Sequence, residues 1–225
     1  MYNYEEEFKQ EQLRLADKIN LSNSFDERDI KYISGVDLAY WHKDDKEYAV
    51  CCIVTVDYKT HEIVEKQHYY DEISVPYIAG YLSFRELPLI KKTYALLKIE
   101  PDIVMFDGNG YLHYRNMGIA THASLFINKP TIGIAKSYLK VDNVDFTMPD
   151  NYNGAYTDII IKDRVFGRAL RTHKDVKPIF VSCGNYIDLE TAMDISLKLV
   201  DKQSRLPVPV RYADLETHLQ RSAVR

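Results

Sequence analysis

Apolar residues recur along this chain at two spacings, one helical and one strand-like. Across residues 5–20, Phe8, Leu13, Leu15, Ala16 and Ile19 stand among charges and predict an amphipathic first helix. Three short segments rich in Val, Ile and Tyr follow, at Tyr32 to Asp37, Tyr48 to Val56 and Glu62 to Tyr69. Polar turns at Lys43-Asp44-Asp45-Lys46 and Lys59-Thr60 separate them, which predicts an antiparallel meander. A helix is expected from about Gly80 to Lys98, with Ile90, Tyr94 and Leu97 on one stripe and Pro88 bending it near its start. Ile103 to Asp107 reads as a buried strand, Met117 to Phe126 as a short helix and Thr131 to Ala135 as another strand, which makes a parallel crossover. Strands at Thr157 to Ile161, Val165 to Leu170 and Pro178 to Ser182 then precede helices near Asp188 to Asp201 and Arg211 to Arg221.

Three antiparallel strands followed by helix, strand, helix, strand is the layout of the ribonuclease H-like fold, an α/β architecture with a mixed sheet flanked by helices. Nothing resembling a Ser/Gly/Pro linker divides the 225 residues, so one domain over residues 1–225 is expected. With 46% apolar and 28% charged residues, a sizeable core is available. The layout alone does not fix a function.

A net charge of −4 argues by itself against a nucleic-acid partner, yet carboxylates gathered around divalent cations would give the same sum. Charge is also uneven. Lys198, Lys202, Arg205, Arg211, Arg221 and Arg225 outnumber the acids from Lys198 onward, whereas Glu5, Glu6, Glu7, Glu11 and Asp17 make the first helix acidic. Eighteen tyrosines offer many surfaces for stacking or hydrogen bonding. Cys51, Cys52 and Cys183 form no Cys-x-x-Cys pair, and adjacent strand cysteines point to opposite faces, so reduced core thiols are expected. The opening residues carry no basic region followed by an apolar one, and no apolar stretch reaches spanning length. A cytoplasmic protein without a membrane partner is the expectation.

Candidate chemistry starts at Ile103-Val104-Met105-Phe106-Asp107-Gly108-Asn109-Gly110. An apolar strand delivers a carboxylate at its C-terminal end, and the glycines that follow allow a sharp turn and close approach of a ligand. Asp37, in Gly35-Val36-Asp37-Leu38, ends or interrupts an apolar strand. Burying it unpaired costs several kcal/mol or forces protonation, so it reads either as a turn residue or as a cleft acid. If the first strand neighbours the crossover strand, Asp37 and Asp107 point into one cleft and require a cation there. By periodicity alone Glu86 reads as a solvated helix residue near Arg85 and Lys91, and Asp214 as an acid on a later helix. Lys136 follows an apolar strand much as Asp107 does, and suits either phosphate binding or simple contact with solvent. In Val75-Pro76-Tyr77-Ile78-Ala79-Gly80, Pro76 stiffens a loop and Gly80 frees its exit, so Tyr77 and Ile78 form a hydrophobic wedge or a core tuck. His113 and His122 are spaced too far apart for one helical face, and no zinc site is read.

Seven separated motifs, in order, closely resemble the endonuclease V (deoxyinosine 3′ endonuclease) family. They are Gly35-Val36-Asp37, Pro76-Tyr77-Ile78, Phe84-Arg85-Glu86, Asp107-Gly108-Asn109-Gly110, His113-Tyr114-Arg115, Gly118-Ile119-Ala120-Thr121-His122 and Gly133-Ile134-Ala135-Lys136-Ser137. The resemblance runs from about Leu13 to Asp214. It implies a Mg²⁺-dependent enzyme, with Mn²⁺ able to substitute, that cuts DNA at the second phosphodiester bond 3′ of a deaminated adenine and leaves 3′-hydroxyl and 5′-phosphate ends. It assigns metal binding to Asp37 and Asp107, and catalytic positions to Asp37, Glu86, Asp107, Lys136 and Asp214. Pro76, Tyr77 and Ile78 match the strand-separating wedge, and Gly80, Gly108, Gly110 and Leu139 match the base pocket. Deoxyinosine-containing DNA is the implied partner, inosine-containing RNA is a second candidate, and a monomer is expected.

Ala79 and Tyr114 stand where the family commonly has proline, and Cys183-Gly184-Asn185 replaces a common Pro-Gly-His. These departures bear on flanking-strand contacts and lesion preference, and they spare the proposed metal ligands. On residue types alone, two other readings share the same carboxylates: a ribonuclease H-like nuclease for branched or hybrid substrates, and a non-catalytic inosine binder.

Overall fold

The computed structural model describes residues 4–224; Met1 to Asn3 and Arg225, the last of the basic residues noted above, lie outside it. In chain order the elements are α1 (Tyr4–Ala16), a 3-10 turn (Glu27–Asp29), β1 (Tyr32–Lys43), β2 (Lys46–Asp57), β3 (Ile63–Glu72), α2 (Leu82–Tyr94), β4 (Ile103–Asp107), α3 (Ile119–Ile127), β5 (Thr131–Ala135), β6 (Tyr156–Ile161), β7 (Arg164–Leu170), β8 (Ile179–Asn185), α4 (Leu189–Lys198) and α5 (Val208–Val224). The strands form one eight-stranded mixed sheet in the order β3-β2-β1-β4-β5-β8-β7-β6. The expected meander is β1-β2-β3, and β4-α3-β5 is the expected parallel crossover. β1 lies parallel to β4, with Ile33 opposite Ile103 and Val36 opposite Phe106.

Helices cover both faces of the sheet. On one face Val36, Cys51, Val104 and Phe106 pack with Leu87, Ile90, Ile119 and Ala123 of α2 and α3. On the other, Ile33, Ile103, Met105 and Ile132 pack with Ile195 of α4 and Val208 and Val210 of α5. Cys51 and Cys52 fall in separate clusters, as strand alternation requires, and all three cysteines are buried and free. Among the described residues, no helix is long and apolar enough to cross a membrane.

Several boundaries differ from the periodic reading, each for a local reason. β1 continues to Lys43 because its hairpin with β2 is paired through to Lys43 and Lys46, so Asp37 interrupts the strand rather than ending it. Asp188 accepts from Thr191 N–H and caps α4 at its start, and Gly118 caps α3, so both helices begin later than expected. α5 begins earlier, at Val208, with Pro209 in its first turn, where a missing N–H costs nothing. α1 buries Phe8, Gln12 and Leu15 and leaves Leu13 half-exposed, a rotation that its apolar residues do not predict.

α5 reaches the sheet closely. A Cβ on Gly35 would overlap the Pro209 carbonyl, so only glycine at this point of β1 admits the start of α5. Five residues beyond Pro209, the helix carries Asp214.

Candidate active site

β1 and β4 are adjacent and parallel, and alternation turns Asp37 and Asp107 to the α5 face. α5 brings Asp214 to the same place. One carboxylate oxygen from each of Asp37, Asp107 and Asp214 lies within 4.8 Å of the others. Thr217, one turn further along α5, donates to Asp37 Oδ2 at 3.4 Å. Lys136, just past β5, places Nζ 2.5 Å from Asp107 Oδ2 and 2.6 Å from Asp214 Oδ1.

The electrostatics follow from crowding and burial. Desolvation first, then the Asp107 charge, push the Asp37 carboxyl up to about 7. Burial likewise raises Asp107, against the opposing pull of Lys136. Burial alone would lower the Lys136 ammonium, but the neighbouring Asp107 and Asp214 outweigh it and hold its pKa above the ordinary lysine range. One ammonium leaves three clustered acids incompletely neutralised. The donor set is entirely hard carboxylate oxygen, which fits a cation such as Mg²⁺ or Mn²⁺ and not a thiophilic metal.

Glu86 does not join that triad and is not the solvated helix residue that periodicity suggests. It comes from α2 on the opposite layer and is only 7% exposed. The Tyr40 hydroxyl donates to its Oε1 at 2.6 Å. Burial, reinforced by the charges of Asp37 and Asp107 and opposed by the Tyr40 hydrogen bond, pushes it up to about 7. Arg85 turns away to Glu47 at 2.5 Å and to the Val75 carbonyl at 2.9 Å, which secures the root of the 75–80 loop.

Beside the acids lies a cavity of about 150 Å³ lined by Gly80, Gly108 and Leu139, with Tyr77 at its mouth. Gly110 is not in its wall; it packs behind, donating to Ser182 Oγ at 2.9 Å and accepting from Gly118 N–H at 3.0 Å. Asn109 and His113 add polar groups to the lining. Burial, with help from Arg115, lowers His113 to about 3 and keeps the ring neutral, so it offers one donor and one acceptor. Tyr77 is 69% exposed, Pro76 is exposed and Ile78 half-buried, so the loop is not a core tuck. Gly80, at φ +82°, takes the left-handed turn that ends it.

Two residues at the site escape sequence reasoning. Tyr40 lies in a strand of aromatic residues and carries no signal of its own. Arg205 donates to the carbonyls of Lys136 at 3.0 Å and Pro178 at 2.5 Å, tying the exit of β5 in place. Its partners are backbone atoms, which leave no trace in residue types.

A mixed sheet in which two adjacent parallel strands and a helix packed on them bring three acids together defines a class, the nucleases of the ribonuclease H-like fold. The family is equally well marked. The Endonuclease V family profile matches residues 13–215. Endonuclease V of Clostridium acetobutylicum is 64% identical over 217 residues, covering 96% of this chain and 93% of that one. The crystal structure of the Bacillus subtilis protein superposes with a TM-score of 0.95 at 55% identity, covering 99% and 94% of the two chains. Endonuclease V of Ciona intestinalis, solved in complex with a 24mer DNA containing an inosine followed by a ribo-adenosine, gives a TM-score of 0.86 at 30% identity over 97% and 98%. This chain belongs to the Endonuclease V family and is an endonuclease.

Proposed function

We propose that this protein is a divalent-cation-dependent deoxyinosine 3′ endonuclease, hydrolysing the second phosphodiester bond 3′ of a deaminated adenine to leave 3′-hydroxyl and 5′-phosphate ends. The observation that carries the reading is the meeting of Asp37, Asp107 and Asp214 next to a cavity sized for one base. The Ciona relative in complex with inosine-containing DNA supports the substrate.

Asp37, Asp107 and Asp214 would hold Mg²⁺, with Mn²⁺ able to substitute; the bound cation would acidify water and stabilise the leaving oxyanion. Lys136 stays charged between two acids, so it acts as a cation toward phosphate oxygen and not as a base. Glu86 has one oxygen taken by Tyr40 and a pKa near working pH, so its second oxygen is suited to move a proton to or from the attacking water.

Recognition requires the base to leave the stack, which costs a few kcal/mol and is easiest at a weak pair. Tyr77 supplies an exposed aromatic to replace the lost stacking. The cavity then surrounds the base edge with backbone and the neutral His113.

Matched strands carrying deoxyinosine, inosine or adenine, incubated with and without Mg²⁺, test this. Cleavage of the deoxyinosine strand only with Mg²⁺, two bonds 3′ of the lesion, is expected. Equal cutting of undamaged DNA, or normal nicking by Asp107→Ala, would overturn it.

A further inference from the structure

α1 lies outside the acid cluster, yet it buries a polar side chain completely. Gln12 is 0% exposed, while its neighbour Leu13 is 48% exposed. Phe8 stacks on Phe84 at 4.0 Å and Leu15 is buried one turn beyond Gln12, so apolar contacts already dock the helix. A glutamine between them costs desolvation unless its amide is used.

Both ends of that amide are used. Nε2 donates to the carbonyls of Gly80 at 3.2 Å and Met117 at 3.3 Å. Oε1 accepts from Arg115 Nε at 2.5 Å. Arg115 in turn donates through Nη2 to the same Gly80 carbonyl at 2.9 Å and lies 4.3 Å over the Tyr81 ring. Gly80 ends the wedge loop and Met117 precedes α3, and both line the 150 Å³ cavity. One side chain, from behind, therefore ties together two separate stretches of the cavity lining.

We infer that Gln12 is a positioning residue for base recognition, a strut that with Arg115 sets the distance between the Gly80 and Met117 walls of the base cavity. The inference rests on the cavity being the base pocket of the proposed function. A fixed wall spacing keeps backbone groups in register with one base edge, and a slack one admits other bases with less loss. The strut needs two N–H donors on one atom, which only the amide provides at this length.

Two variants separate this role from simple packing. Gln12→Leu keeps the volume and removes all three hydrogen bonds. Gln12→Glu keeps a partner for Arg115 but sets a carboxylate oxygen against two carbonyls. The reading is the ratio of kcat/KM on a deoxyinosine duplex to that on its undamaged twin, with Tm measured alongside. Both variants are expected to lower the ratio at least tenfold, mainly through KM for the deoxyinosine duplex. If both keep the wild-type ratio and only Tm moves, Gln12 is structural and the inference is overturned. If the wild-type enzyme itself shows no preference for deoxyinosine, the pocket reading fails and the strut falls with it.

Discussion

Tyr40 donates its hydroxyl to Glu86 Oε1 at 2.6 Å, joining the central sheet to α2 beside the acid triad. This bond lowers the Glu86 pKa against the burial that raises it. Tyr40→Phe removes the lowering influence, so the carboxyl moves further above 7 and its basic form requires more alkaline solution. The acidic limb of the pH–rate profile, measured at saturating Mg²⁺, is expected to shift upward by about one pH unit, with roughly fivefold slower cleavage at pH 7. An unchanged profile would remove Glu86 from proton transfer.

Asp107 stands between Asp37 and Lys136, so under the proposed function its carboxylate serves both cation binding and the charge balance of the cluster. Wild-type protein should gain stability on Mg²⁺ addition, about 2.7 kcal/mol at a hundredfold excess over Kd. Asp107→Asn should lose that gain and about a thousandfold in cleavage, roughly 4 kcal/mol. Thermal melts in EDTA and in Mg²⁺, read beside single-turnover rates, check both. Chelation should silence the wild-type enzyme reversibly.

His122 is buried on α3, with Nδ1 2.7 Å from Ser83 Oγ. Burial lowers its pKa from 6.5 to about 4. Between those values the unfolded chain takes up a proton that the folded chain refuses, so this histidine makes stability fall as pH drops. Glu86 works in the opposite sense: raised from 4.5 to about 7, it favours the fold as pH falls through that range. Comparison with His122→Phe isolates the histidine. The stability advantage of wild type over the variant should shrink by about 3 kcal/mol from pH 7 to pH 4, measured by urea unfolding.

Tyr77 is exposed at the cavity mouth, so Tyr77→Ala should leave Tm within a degree or two. Loss of one stacked base is worth about 1–3 kcal/mol, a rise in KM for the deoxyinosine duplex of roughly 5- to 150-fold. A single strand, with no helix to part, should suffer less. A large fall in Tm with unchanged KM would make Tyr77 a packing residue.

How much of this was legible depended on which atoms carry the interaction. β4 and β5 showed plainly, because buried parallel strands are continuous apolar runs, and Asp107 and Lys136 stood out at their ends. Asp37 was visible only as a charge inside an apolar strand; its meaning came from β1 lying beside β4, a pairing 70 residues apart in sequence. Glu86 was obscured because α2 buries residues on more than one stripe, including Arg85 and Glu86, so its periodicity understates its burial. Gln12 pointed the wrong way for any amphipathic reading. Arg205 donates from its side chain to backbone carbonyls, and Gly110 bonds through its own N–H and C=O, and neither set of partners is revealed by residue types.

Asp37, Asp107 and Asp214 are contributed by β1, β4 and α5, and Gly35 yields the space into which Pro209 seats the last of these. During synthesis, a chain that has exposed β1 through β5 holds two of the acids and no closed centre. Under the proposed function, hydrolytic competence therefore arrives late, when α5 settles against the sheet, and a polypeptide still lacking α5 is expected to leave the nucleic acids around it uncut.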